Sequence, residues 1–183
     1  MYKRQEYTSA CVVATNNYAF KYGRLIVRAK VPIEQGGWPA IWSTGNWYEW
    51  PLGGEIDILE FYKEKIHANL CWGGSSRWNG TWNSANYPIT DFTSKDAKWA
   101  EKYHIWRMDW DETAIKIYLD DELLNEIPLS ETVNGTIGGG TNPFRKPQYL
   151  LLNLALGGIN GGEIDDKGIP MRYEVDYVRV YQK

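Results

Sequence analysis

The sequence is short of most features that would commit it to a chemistry in advance. It has two cysteines, Cys11 and Cys71, far apart and without metal-ligand spacing. One disulfide between them or two free thiols are both compatible with that count. Two histidines leave little room for a His-rich metal or acid–base centre. A formal net charge of -3 gives no reason to expect nucleic acid or an anionic membrane surface as partner. No run of about 18 apolar residues exists, so no helical membrane span is expected. No segment has a convincing helical period. The glycine run Gly138-Gly139-Gly140 has neither the Lys-Ser/Thr nor the helix that a phosphate cradle requires.

Aromatic residues are abundant instead: ten Trp and thirteen Tyr among 183 residues. Many lie beside Gly, Pro, Ser and Asn, in loop-like sequence where core packing is a weak explanation. Flat C–H faces of sugar rings stack well on such rings. The length fits one domain, taken as residues 1–183.

Short alternating segments with turn residues every 8–15 positions read as strands and predict an all-β sandwich of two curved antiparallel sheets with a concave cleft. Strands are expected at Tyr7–Ala14, Phe20–Val31, around Gly37–Ser43, Gly54–Phe61, Ile66–Trp72, Tyr103–Trp110, Ala114–Leu119, Glu122–Glu126, Pro147–Leu156 and Tyr173–Tyr181. Asn16-Asn17 and Asp120-Asp121 read as turns. The segment 73–87, with Trp78 and Trp82, reads as a long loop. The 147–156 segment is almost wholly apolar and reads as buried on both sides, with Asn153 as its one strongly polar residue.

The densest chemistry is Gly54-Glu55-Ile56-Asp57-Ile58-Leu59-Glu60-Phe61. Side chains in a strand alternate faces, so Glu55 and Asp57 point the same way. Glu60 joins them only if one residue near Ile58–Leu59 is looped out as a β-bulge. Like charges crowded on one face repel, so three acids there call for a use. Hydrolysis of a glycosidic bond needs two carboxyl groups facing one sugar linkage. Their mutual repulsion keeps one ionised and one protonated at neutral pH. This spacing suits Glu55 as nucleophile, Asp57 as central electrostatic tuner and Glu60 as acid/base. A solvated acidic face and a divalent-cation site are the alternatives.

Around this strand, Trp38, Trp42, Trp47 and Trp50 precede it, and His67 and Asn69 share one face of the next strand with Cys71. Arg77, Trp78 and Trp82 follow. These are the candidate substrate-binding residues: indoles to stack on sugars, polar groups to bind hydroxyls.

Glu55-Ile-Asp-Ile-Leu-Glu60 resembles the signature of glycoside hydrolase family 16 in its β-bulged form. Tyr22-Gly23-Arg24 with Arg28-Ala29-Lys30, Gly37-Trp-Pro-Ala-Ile-Trp42, Asn153-Leu-Ala-Leu-Gly-Gly158 and Val175-Asp-Tyr-Val-Arg-Val-Tyr181 resemble the family's other strands, in its order. The resemblance implies a jelly roll and retaining, endo-acting hydrolysis of a β-linked polysaccharide, with Glu55, Asp57 and Glu60 in the roles above. It favours β-1,3-glucan of the laminarinase type. Mixed-linkage glucan and algal galactans (agarose, porphyran, carrageenan) are the alternative substrates, and a non-catalytic carbohydrate-binding module is the alternative class. It implies no cofactor for catalysis, a structural calcium in many relatives with Asp176 matching one ligand, a monomer, and a secreted, periplasmic or cell-surface bacterial protein. Cys71 stands where laminarin-cleaving members commonly carry a second histidine. The family's domains begin with more strands than this chain does. The N-terminal strands are therefore expected to be missing, and the opening Met1-Tyr2-Lys3-Arg4-Gln5, which resembles a translated sequencing-adapter end, is expected to be non-native.

Overall fold

A computed structural model describes residues 6–15 and 17–183. The expectation for residues 1–5, and the part of the Asn16-Asn17 turn that falls on Asn16, lie outside the described residues. Eleven strands are formed: β1 (Ala10–Val13), β2 (Gly23–Lys30), β3 (Gly37–Thr44), β4 (Glu55–Tyr62), β5 (Lys65–Gly73), β6 (Gly80–Pro88), β7 (His104–Trp110), β8 (Ala114–Leu119), β9 (Glu122–Pro128), β10 (Tyr149–Leu156) and β11 (Glu174–Tyr181). They make two antiparallel sheets. One has the order β1-β10-β3-β4-β5-β6 and the other β11-β2-β7-β8-β9. Two one-turn helices, α1 (Thr90–Thr93) and α2 (Gly158–Gly161), lie in connections. No helix among the described residues is long and apolar enough to cross a membrane.

Alternation builds the sandwich. In β2, Leu25, Val27 and Ala29 are fully buried. On its other face Arg24, Arg28 and Lys30 pair with Asp109, Asp176 and Glu174. The six-stranded sheet meets it with Ile41, Ile56, Ile66, Ala68 and Leu70, and Trp106 and Met108 complete the shared core. Each fully buried aliphatic or aromatic side chain contributes about 1.5–3 kcal/mol. The outer face of the six-stranded sheet is thereby left for polar work.

The bulge forms where the sequence placed it. Opposite β3, Leu59 pairs with Ile41 and Asp57 with Trp42, so Ile58 is extra. Opposite β5, Asp57 pairs with Asn69 and Glu60 with His67. Ile58 and Leu59 are both fully buried. Two consecutive side chains thus point into the core, and the outward sequence becomes Glu55, Asp57, Glu60.

Two expectations are corrected. The 73–87 segment is not one long loop, because residues 80–88 form β6, paired with β5 from Gly73↔Gly80 to Lys65↔Pro88. Its many small polar residues hid an edge strand that is exposed or half-exposed along its length. Strand β10 is not buried on both sides either, and Leu151 is its one buried residue. Leu150 and Leu152 pack on the core. Leu152, Leu154 and Leu156 line an apolar cavity of about 1200 Å³ among β1, β10 and β11. There β1 and β11 each have a single neighbouring strand among the described residues.

Candidate active site

Strand β4 presents Glu55, Asp57 and Glu60 on the outer face, between β3 and β5. Gly54, immediately before, adopts φ +77° against Pro143, whose Cβ would be 2.8 Å from an added side-chain carbon. This conformation favours glycine, and it fixes how the chain enters the acidic strand.

Each glutamate accepts a hydrogen bond from an indole. Trp38 Nε1 donates to Glu60 Oε1 at 2.8 Å, and Trp50 Nε1 donates to Glu55 Oε2 at 2.8 Å. Asp57 lies between them, 1 % exposed, opposite Asn69. Burial pushes all three carboxyls upward. Glu55 reaches about 7, through burial first and the charge of Glu60 second, while its hydrogen bonds with Trp50 and Asp57 pull the other way. Asp57 rises well above its ordinary value through burial and then the charges of Glu60 and Glu55. Glu60 rises through burial, moderated by hydrogen bonds from Trp38 and Asn69. Burial and the two neighbouring charges therefore favour the protonated form of Asp57. Among the described residues, no Lys or Arg lines the cavity beside these acids.

A cavity of about 340 Å³ opens over the acids, lined by Trp38, Glu55, Glu60, Tyr62, Asn69, Trp82, Ser84 and Asn160. Asp57 Oδ2 and Asn69 Oδ1 are buried without a hydrogen-bond partner in the protein.

The other candidate residues divide. Trp42 sits opposite Asp57 on β3, half-buried, with Nε1 bonded to Asn153 Oδ1 at 2.6 Å. Trp82, 46 % exposed, faces Cys71 across the β5–β6 ladder. His67 does not line the cavity. Its ring stacks on Tyr62 at 3.8 Å and 12°, burial lowers its basicity, and it supports the tyrosine from the side. Trp47 is half-buried in its own loop, against Gly45 and Tyr48. Trp78 is exposed and does not line the cavity. Arg77 does not reach the carboxylates; its guanidinium is engaged by Glu49 through two 3.0 Å hydrogen bonds. Asp176 is ion-paired with Arg28. No group of three or more His, Cys, Asp or Glu that could hold a metal ion occurs among the described residues. Both cysteines are free, Cys11 exposed and Cys71 buried.

Three cavity residues escaped the sequence reading. Tyr62 was visible in principle, two positions beyond Glu60 on the same face. Ser84 was lost with β6. Asn160 comes from α2, in a Gly-rich connection that nothing local ties to the site.

The sequence model of glycosyl hydrolases family 16 matches residues 2–179. A β-glucanase of Rhodothermus marinus is 32% identical over 196 residues, covering 99% of this chain and 64% of that protein. The chain thus spans less than two thirds of that relative's length. The crystal structure of the laminarinase from Rhodothermus marinus superposes with a TM-score of 0.82 at 30% identity, over 100% of this chain and 74% of that one. A structure reported for endo-acting O-glycanases with which human gut bacteria initiate mucin breakdown gives 0.82 at 34% identity, over 94% and 61%. A bulged acidic strand of the family's form and a family model matched over residues 2–179 agree: the chain belongs to glycosyl hydrolase family 16.

Proposed function

We propose that this domain is a retaining, endo-acting O-glycosyl hydrolase whose substrate is a β-1,3-linked glucan of the laminarin type. One observation carries the reading: Glu55 and Glu60, each hydrogen-bonded by an indole, flank buried Asp57 on one face of a tryptophan-lined cavity. Ionised Glu55 attacks the anomeric carbon while Glu60 passes its proton to the departing glycosidic oxygen. A glycosyl ester on Glu55 forms. Glu60, now a base, takes a proton from water, and the water opens the ester with net retention. Asp57 offers its proton to Glu55 when negative charge returns there. Trp38 and Trp82 supply platforms for sugar rings.

Relatives named glucan endo-1,3-beta-glucosidase and laminarinase support a β-1,3-glucan over mixed-linkage glucan and algal galactans. The three acids weigh against a binding module, which has no need of them. All the catalytic groups come from one chain, so a monomer suffices, and the reaction as written uses carboxyls and water alone. A polymeric substrate places the protein outside the cytoplasm: secreted, periplasmic or on the cell surface.

The test is incubation with laminarin, mixed-linkage glucan, agarose, carrageenan and mucin O-glycans, followed by reducing-end and product-size analysis. Short oligosaccharides from laminarin, lost in Glu55→Gln, bear the proposal out. Cleavage of a galactan or mucin glycan alone overturns the substrate, and binding without cleavage overturns the catalysis.

A further inference from the structure

The loop that carries Trp50 is held at both ends. At its base, Gly53 donates to the Glu49 carbonyl at 3.2 Å and Gly54 to the Pro51 carbonyl at 3.0 Å, while the buried Gln148 amide donates to the Gly53 carbonyl at 2.9 Å. At its tip, Glu49 takes both the Nε and Nη2 hydrogens of Arg77, which projects from the neighbouring connection between β5 and β6. Arg77 also lies over the Trp78 ring, 5.1 Å from its centroid. The loop is thus fastened to a second loop one residue away from the indole that contacts Glu55.

That indole has a restricted vocabulary. Its N–H donates and cannot accept, so the 2.8 Å contact with Glu55 Oε2 favours the carboxylate over the carboxylic acid. The contact also fixes which oxygen the indole occupies. We propose that Trp50 is a positioning residue of the reaction, its N–H holding Glu55 ionised and aimed, and that the Glu49–Arg77 pair is the latch that keeps Trp50 in place. The inference rests on Glu55 being the nucleophile.

The other titratable groups facing Glu55 are Asp57 and Glu60 on its own strand and Cys71 on β5. Tyr62 and His67 lie beyond Glu60. On β3 and β6 the nearest side chains, Thr44 and Trp82, do not titrate in the relevant range. Trp50 is therefore the one loop group that opposes the upward pressure on Glu55.

The experiment compares wild type with Trp50→Phe, which keeps a ring and removes the N–H, and with Glu49→Gln and Arg77→Met. Carboxyl ¹³C titration by NMR on the whole chain, without substrate, reads Glu55 directly. Kinetics on laminarin give kcat, KM and the pH profile. Trp50→Phe is expected to raise the Glu55 midpoint, move the acidic limb of kcat/KM upward, and lower kcat about 10- to 100-fold with KM nearly unchanged. The latch variants are expected to move the same readouts a few-fold, more weakly at high salt, and the swap Glu49→Arg with Arg77→Glu to restore them. An unchanged Glu55 midpoint in Trp50→Phe, or a rise in KM alone, overturns the proposal and leaves Trp50 as a sugar platform. Because the titration needs no turnover, a wild type that cleaves nothing would refute the nucleophile assignment without blurring whether the indole holds the carboxylate. Should Trp50→Phe fail to fold, the latch variants and their swap decide the matter alone.

Discussion

The same burial that prepares Glu55 for chemistry makes it a burden on the fold, and Glu55→Gln separates the two. Its carboxyl moves from an ordinary 4.5 to about 7 on folding, chiefly through burial. Between those values the folded chain holds a proton that the unfolded chain has released. Stability therefore falls as pH rises through this window and stays lower above it. At about 1.4 kcal/mol per pH unit, the loss comes to about 3 kcal/mol by pH 8. Glutamine removes it but is a weaker acceptor for the Trp50 N–H, which leaves a net gain of about 2 kcal/mol. For a chain of this size that is a rise in Tm of about 4–8 °C. At pH 4 the gain should vanish, and the glutamine variant should be slightly less stable than wild type. Thermal unfolding at pH 4, 6 and 8, followed by circular dichroism, reads the difference. Turnover on laminarin should drop by about 1,000-fold or more in the same variant. A Tm gain equal at pH 4 and pH 8, or a loss at pH 8, would refute the reasoning.

Three further outcomes are expected. Trp82→Ala, which removes an exposed ring beside the cavity, should raise KM for laminarin about tenfold while leaving Tm within about 2 °C of wild type. Asp120 lies at the β7–β8 side of the opposite sheet. Burial would raise its carboxyl, but hydrogen bonds from His104 Nδ1 at 2.5 Å and the Ile105 N–H at 2.7 Å hold it below its usual 3.8. That stabilisation is present above pH 4 and lost as the pH falls below it, so Asp120→Asn should cost about 1–2 kcal/mol at pH 7 and progressively less in acid, as urea titrations at the two pH values would reveal. In thiol counting with Ellman's reagent, exposed Cys11 should react in the native protein. Cys71, fully buried and with its thiol pushed up by burial and by the charges of Glu55 and Asp57, should react only after unfolding.

How far the sequence could be read depended on what signalled each feature. The bulge was legible because three acids at that spacing cannot share a face otherwise, and Ile58-Leu59 supplied the two consecutive core residues it needs. Strand β2 was legible because its apolar and basic residues alternate without a break. The β6 strand was not, since an edge strand of Gly, Asn, Ser and Thr lacks the buried face that makes alternation visible. The aromatic residues were legible as a group and ambiguous one by one: Trp38, Trp50 and Trp82 reach the site, while Trp47 folds back onto Gly45. Arg77 looked like a hydroxyl donor because its carboxylate partner, Glu49, lies 28 positions earlier, beyond the reach of local pattern. Asn160 had no signal at all, being delivered by the path of the whole chain.

The paired inward residues in β4 have a consequence for how such an enzyme can change over generations. In an ordinary strand the loss of one codon reverses every side chain that follows it, turning a working face into a buried one. Here the loss of Ile58 would leave Glu55, Asp57 and Glu60 all outward, on a strand of plain alternation, at the expense of one core side chain. The acidic strand is therefore tolerant of a length change at one point and intolerant of it everywhere else. A lineage can shorten the distance between its two glutamates there in a single heritable step, without first passing through a protein whose acid/base is buried.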